Sequence, residues 1–305
     1  MNPSDLHYRL VANRLLEGRV IPFLGAGANL CGRPQDSSWA VGTYLPSGIE
    51  LATYLAGQVE YPGDDDGDLL RVSQYIDAVL GEQPLYDYLR VAFDADYPPN
   101  PLHHLLVDVA RALRRRGRPG LLVLTTNYDD VLERAFDKAQ EPYHVLSYDA
   151  KGGSNQLVHR AGGEAEPIVK PNETLMSDRA VILKLHGAVD RTDPRGDSYV
   201  VTEDHYIAYA EQIPVDLQVR MEESHFLFLG YSLRDWNLRV ILSRIWRGRQ
   251  LESQSWAVQR PQGGLSEIDT QLWRKRGNVD LRYVELDEYV AKLRDELDGP
   301  TAVAA

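Results

Sequence analysis

The chain has 305 residues, 43% of them hydrophobic and 26% charged, and a formal net charge of -12. That is ample material for a large globular core, and the acidic balance excludes general affinity for nucleic-acid backbones unless a local basic patch supplies it. The single cysteine, Cys31, excludes an intramolecular disulfide and a multi-cysteine zinc site.

The N-terminal stretch MNPSDLHYRLVANRLLEGRV is charged throughout and lacks an apolar run of signal-peptide length. No segment approaches the roughly 18 apolar residues of a membrane span. A soluble, cytoplasmic protein is expected, with no membrane contact.

The first buried strand is VIPFL at 20–24, followed by the small-residue turn Gly25-Ala26-Gly27-Ala28-Asn29. Residues from about 40 to 100 read as helical: GIELATYLAGQV, DLLRVSQYIDAVL and PLYDYLRVAF, separated by Pro, Gly and the acidic PGDDDGD. They predict a small helical insertion lobe after the first strand–helix unit. PLHHLLVDVARAL follows, with Pro101 at a first helical position and Leu102, Leu105, Leu106, Val109, Ala110 and Leu113 on one stripe. Its end carries Arg111, Arg114, Arg115, Arg116 and Arg118. A solvated helix terminus, where cations are favoured, explains this run better than a nucleic-acid patch.

LLVLTT at 121–126 is the next strand and YDDVLERAFDKA the next helix. Further strands are YHVLSY at 143–148, VILKLH at 181–186, FLFLG at 226–230, SWAV at 255–258 and LRYVEL at 281–286. A long Gly-rich polar stretch from 148 to 178 has the composition of a functional lid, with QLVH and PIVK as possible short strands. LRDWNLRVILSRIW and LDEYVAKLRDEL predict two more helices, and DGPTAVAA a frayed tail. The strands are apolar runs rather than alternations, as in sheets buried on both faces. The alternation of strand and helix predicts a doubly wound, mostly parallel, Rossmann-like α/β sheet. One domain is expected over 1–300, with 301–305 as tail.

Three strand ends carry candidate functional groups. Gly25 and Gly27 suit either the approach of a pyrophosphate or a tight turn needing positive φ. Thr125, Thr126, Asn127 and Asp129 follow the second strand; Asn127 suits either a ligand contact or a helix N-cap, and Asp129 suits the helix dipole. His186 and Gly187 end VILKLH, with His186 either a ligand contact or a satisfied core imidazole. In a doubly wound sheet, the carboxyl ends of the strands line one crevice, so these groups can converge on one ligand.

These motifs, in this order and spacing, resemble the Sir2 (sirtuin) superfamily. GAGAN resembles that family's GAGxS turn, TTNYD its TQNxD motif, LHG its catalytic His-Gly, and FLFLGYSLRDWN its GTSL-type strand end. VVTEDHYIAYAEQ and GYSLRDWNLRVIL look most like the bacterial Sir2-like branch found in antiphage defence. Two positions depart from the pattern: Asn29 stands for the usual serine and Thr126 for the glutamine. The four-cysteine zinc module of the deacylases is also missing, which weakens the case for an acyl-lysine cleft.

The resemblance implies cleavage of NAD⁺, as substrate, to nicotinamide and ADP-ribose, with no metal. It implies a catalytic pair, Asn127 positioning water and His186 accepting a proton. It also implies a binding set: Gly25, Ala26 and Gly27 at the pyrophosphate, Asn29 and Thr126 in the matching motifs, Asp129 at the nicotinamide amide or holding its loop, and Gly230 and Ser232 near the adenosine ribose. A defence effector built this way would be switched by homo-oligomerisation or by a partner such as an ATPase or a guided nuclease-like protein. The alternatives are an NAD-dependent protein deacylase and an NAD⁺ or ADP-ribose sensor without catalysis.

Overall fold

The computed structural model describes residues 3–34, 36–64, 67–150, 156–161, 164–167, 178–208, 215–233, 242, 254–261 and 265–299. Among them, nine strands form one sheet: β1 (Val20–Leu24), β2 (Leu122–Thr125), β3 (Tyr143–Asp149), β4 (Gln156–Ala161), β5 (Glu164–Pro167), β6 (Ala180–Lys184), β9 (His225–Leu229), β10 (Ser255–Gln259) and β11 (Val279–Tyr283). Their order is β11-β10-β9-β1-β2-β6-β3-β4-β5. Pairing is parallel from β11 to β3 and antiparallel at β4 and β5. A separate two-stranded ribbon joins β7 (Gly187–Ala188) and β8 (Ser198–Tyr199).

Every residue of β1, β2 and β6 is buried, so each strand feeds two cores. Val20, Leu24, Val123, Ile182 and Leu229 meet a layer of helices made by α1 (Pro3–Leu16), α5 (Pro101–Arg115), α6 (Val131–Lys138) and α10 (Leu286–Asp298). Phe23, Leu124, Leu183 and Phe228 face the opposite core, which holds Leu217 and Met221 of α8 (Val215–Glu223) and Trp273 of α9 (Glu267–Arg276). The remaining short helix, α7 (Glu203–Ala208), follows the β7–β8 ribbon.

Pro22 sits in a central strand, where a missing N–H normally breaks a ladder. Here Gly25 N–H donates to Leu229, so the odd-numbered amides of β1 face β9. Pro22 therefore turns its missing donor toward β2, whose register with β1 begins only at Phe23.

The helical lobe forms as its sequence predicts, from α2 (Gly48–Gly57), α3 (Leu69–Leu80) and α4 (Glu82–Phe93). Ser47 and Glu50 close a capping box at α2, and Asp68 caps α3. Leu55, Ile76 and Leu89 of the lobe share a core with Tyr128, Val131 and Tyr199, so the lobe packs beside the carboxyl edge of the sheet.

One sequence reading needs revision, one is met in part, and one falls outside the described residues. The last strand runs over Val279–Tyr283 rather than 281–286, because Leu286 already belongs to α10. Part of the predicted lid is an antiparallel extension of the sheet, β4 and β5, with residues 168–170 of PIVK outside the described residues. The helix predicted for LRDWNLRVILSRIW also lies outside them apart from Leu233 and Leu242. The arginine run behaves as a helix terminus: Arg114 makes a two-pronged bond to Glu141 at 2.6 and 3.1 Å, and Arg111 pairs with Asp108 at 3.2 Å.

A close backbone approach joins the ends of β1 and β9. Gly230 has φ 65, and a Cβ there would collide with the Ala28 amide nitrogen. Gly230→Ala is expected to cost about 2–5 kcal/mol from left-handed strain and overpacking together. Gly42→Ala shares the positive φ of 86 but meets open space, so it should cost only the strain, about 1–3 kcal/mol. Urea unfolding midpoints of the two variants check this; equal losses would contradict it.

Candidate active site

From β1 the chain crosses to β2 on one side, while β9 lies on the other. The crevice between the carboxyl ends of β1 and β9 is thus the topological switch point, where open α/β sheets bind ligands. The Gly25 turn and Gly230 meet there. Gly27 N–H donates to Gly230 O at 2.7 Å, and a Cβ on Gly27 would stand 2.6 Å from that oxygen. A Cβ on Gly25 would stand 2.5 Å from the Tyr231 ring. Gly25 has φ -111, and positive φ is absent at Gly27, so the turn is not a left-handed bend. These glycines are required by close approach, and the Gly27 amide is already spent on Gly230.

Register carries the site across the sheet. Leu24 lies beside Leu229 and Thr125, and Thr125 beside Lys184. The residues just beyond are therefore Gly230, Gly25, Thr126-Asn127 and Leu185-His186, on four adjacent strand ends. Thr126 N–H donates to Leu24 O at 3.2 Å, and Leu185 N–H to Thr125 O at 2.9 Å, extending the ladder into the loops.

Asn127 is half-buried and its Nδ2 donates to Oδ1 of Asn29 at 3.2 Å. It does not cap α6: Asp130 holds that position, and Oδ1 of Asp129 accepts the Val131 N–H at 3.1 Å. Asn29 is buried on a short 3-10 turn, Ala26–Leu30, which Asn100 fastens by donating from Nδ2 to Ala28 O at 2.9 Å. Asn100 also caps α5, accepting from the Leu102 and His103 amides. Its own N–H donates to His103 Nδ1 at 3.2 Å, which puts the imidazole proton on Nε2. Asn29, Cys31, Arg33, Tyr44, Asn100 and His103 line a cavity of about 150 Å³ together with Pro98, Pro99 and Pro101. Arg33 is saturated there by Glu50 and Ser37.

His186 is buried, with Nδ1 3.4 Å from the Tyr206 hydroxyl and the two rings edge to face. Among the described residues, its buried Nε2 has no hydrogen-bond partner. Burial pushes its pKa down to about 3, so the ring is neutral at ordinary pH. The sequence suggested an imidazole matched to neutral pH; the surroundings make it a hydrogen-bonding group and a weak proton acceptor. Gly187 has φ 81 and lies against Ser198 O, so the β7–β8 ribbon admits no side chain beside His186.

Asp129 is also buried, and its Oδ2 has no hydrogen-bond partner among the described residues. Burial raises its pKa to about 6 against the pull of the nearby Lys184 ammonium. Ser232 is exposed, and Gly230 and Ala26 are half-buried. Sequence reading missed Asn100, His103 and Lys184; the one available signal was the N-cap pattern Asn100-Pro101.

A family model described as SIR2-like domain matches residues 121–281. The chain belongs to the SIR2-like family. Defense-associated sirtuin 2 of Bacillus subtilis is 25% identical over 244 residues, 78% of this chain and 20% of that protein. The NAD(+) hydrolase ThsA of Acinetobacter baumannii is 28% identical over 200 residues, 64% of this chain and 35% of that protein. The NAD(+) hydrolase ThsA of Cytobacillus dafuensis is 26% identical over 194 residues, 62% and 33% of the two chains. The chain thus spans about a third or less of the length of these relatives. Among the described residues, no group of three or more His, Cys, Asp or Glu is arranged for a metal, and no helix is long and apolar enough to cross a membrane.

The buried imidazoles set a pH dependence of stability. His7, His103 and His186 have pKa values near 4, 3 and 3 in the fold against 6.5 in the open chain. The unfolded chain therefore takes up protons first, and their contribution, intact above about 6.5, is lost as pH falls toward 3–4. Asp129 acts the other way: its raised value favours the fold below 3.8, and that contribution is lost as pH rises through about 6. Three groups against one predict a Tm that falls from about pH 7 to pH 4.5; a Tm that stays level or rises would contradict this.

Proposed function

We propose that this SIR2-like chain hydrolyses NAD⁺ at the bond between nicotinamide and ribose, giving nicotinamide and ADP-ribose. The observation that carries the reading is the set of polar atoms at the carboxyl edge beside the switch-point glycines. The Asn127 amide is oriented by Asn29, and His186 Nε2 and Asp129 Oδ2 are buried without partners among the described residues. Buried polar groups are almost always bonded, so such atoms are where a ligand's donors and acceptors belong. The printed names of two relatives, NAD(+) hydrolase, support the same chemistry.

The leaving nicotinamide takes the bond's electron pair onto its ring nitrogen and becomes neutral, so no general acid is needed. Positive charge develops on the ribose, as in glycoside hydrolysis. Water adds to C1′ and its proton leaves to solvent. Because Nδ2 of Asn127 is held by Asn29, its carbonyl oxygen is turned to accept a hydrogen bond from that water. This gives Asn29 a purpose that the family's serine would meet differently. His186 is assigned to a ribose hydroxyl, with Tyr206 fixing its ring. Gly25, Ala26 and Gly27 are assigned to the pyrophosphate, the two glycines by allowing its approach and Ala26 by its amide, since those of Gly25 and Gly27 bond Leu229 and Gly230; Thr126, Gly230 and Ser232 are assigned to the rest of the dinucleotide. The proposal extends to a role in antiphage defence through NAD⁺ depletion, in keeping with the relative named Defense-associated sirtuin 2. It includes control by self-assembly or by a defence-system partner.

A nicotinamide-release assay across protein concentration tests the reading. Wild type is expected to release nicotinamide, and Asn127→Ala to release none while keeping its Tm. His186→Ala, which removes a hydrogen bond to the ribose, is expected to lose about tenfold to a hundredfold in turnover. Intact NAD⁺ with the wild-type chain at every concentration would refute the reading, and full activity of Asn127→Ala would remove that residue from it.

A further inference from the structure

Lys184 ends β6, two residues before His186, and is 1% exposed. An ammonium group so deep requires charged or carbonyl partners. Its Nζ donates to the main-chain carbonyl of Asp129 and to Oε1 of Glu133 at 2.8 Å. Asp129 lies in the loop between β2 and α6, and Glu133 in the first turn of α6. One side chain thus ties the strand that bears His186 to the loop that bears Asn127. The main-chain bonds of that loop, Thr126 to Leu24 and Val189 to Tyr128, leave the Asp129 carbonyl to Lys184.

We propose that Lys184 is a positioning residue of this site: anchored by Glu133, its ammonium group holds the 126–130 loop against β6 and so fixes the Asn127 amide and the Asp129 carboxylate. Its charge also favours the Asp129 carboxylate form, which Glu133 and Asp130 oppose and which Tyr97 faces across the lobe. The kinetic consequence rests on the NAD⁺-cleavage reading; the structural consequence rests on geometry alone.

Lys184→Met by itself would bury the Glu133 carboxylate unpaired and endanger the fold. Lys184→Met/Glu133→Leu replaces both members by apolar groups, a change that buried ion pairs commonly tolerate. In this variant, amides of 126–130 are expected to exchange with deuterium about tenfold faster or more, with β1 and β9 unchanged. The kcat for nicotinamide release is expected to fall about tenfold to a hundredfold with KM within about threefold, because displacement acts on the transition state. Glu133→Asp keeps a carboxylate for Lys184 and leaves its bond to the Asp129 carbonyl, and should hold kcat within about threefold of wild type. Wild-type exchange in the loop, an unchanged kcat, a rise in KM alone, or an equal loss in Glu133→Asp would each overturn the proposal. Should the wild-type chain release no nicotinamide, the cleavage reading fails, and the exchange measurement still decides the role of Lys184.

Discussion

The site depends on main chain touching main chain at the ends of β1 and β9. Neighbouring strands run about 4.8 Å apart, and here that spacing persists past the last ladder bonds, with Gly27 on Gly230 at 2.7 Å. Side chains on Gly25, Gly27 or Gly230 would close the approach. The contact sets where the 3-10 turn begins, and that turn sets Asn29. Asn29 in turn sets Asn127, one strand over. Because Leu229, Leu24, Thr125 and Lys184 stand in register, a displacement at the glycines passes along the whole carboxyl edge.

Across that edge the fold arranges polar atoms where water is scarce. His186 and Asp129 are held by packing, each with one atom lacking a partner among the described residues, which costs about 1–3 kcal/mol apiece. Folds keep such groups at functional sites and offset them with core burial elsewhere. The offset is visible nearby: the fully buried Phe23, Leu124 and Leu183 in one core and Val123 and Ile182 in the other. The charges are handled differently. Lys184 is satisfied by Glu133 and a carbonyl, and Arg33 by Glu50, so neither is left facing the crevice unpaired.

How much of this was legible before the structure follows from what sequence can express. β1 is where VIPFL suggests, because a five-residue apolar run bounded by Arg19 and Gly25 has one sensible extent. The switch-point crevice follows from the strand–helix alternation and the glycine turn. The first helix was overlooked although Tyr8, Val11, Ala12 and Leu15 keep helical spacing, because interspersed charges mask a short stripe. The last strand was placed two residues late at its start and three at its end, because Val284 and Leu286 prolong its apolar look while Asp280 disguises its start. Pairings across distance were invisible: Lys184 and Glu133 stand 51 residues apart, and Asn127 and Asn29 98. Local composition also says nothing about burial, so the titration of His186 could be learned only from its surroundings. Of the two explanations that the glycine turn invited, positive φ fails, and the close approach to Gly230, far along the chain, could not be read locally.

The central claim is that one dinucleotide lies across this edge with its nicotinamide ribose between Asn127 and His186. A crystal structure of the wild-type chain with a hydrolysis-resistant NAD⁺ analogue tests it most directly. The account predicts the pyrophosphate against Gly25–Gly27 and one ribose within hydrogen-bonding reach of both Asn127 and His186. An analogue bound elsewhere, or a ribose that only one of the two side chains can reach, would contradict it.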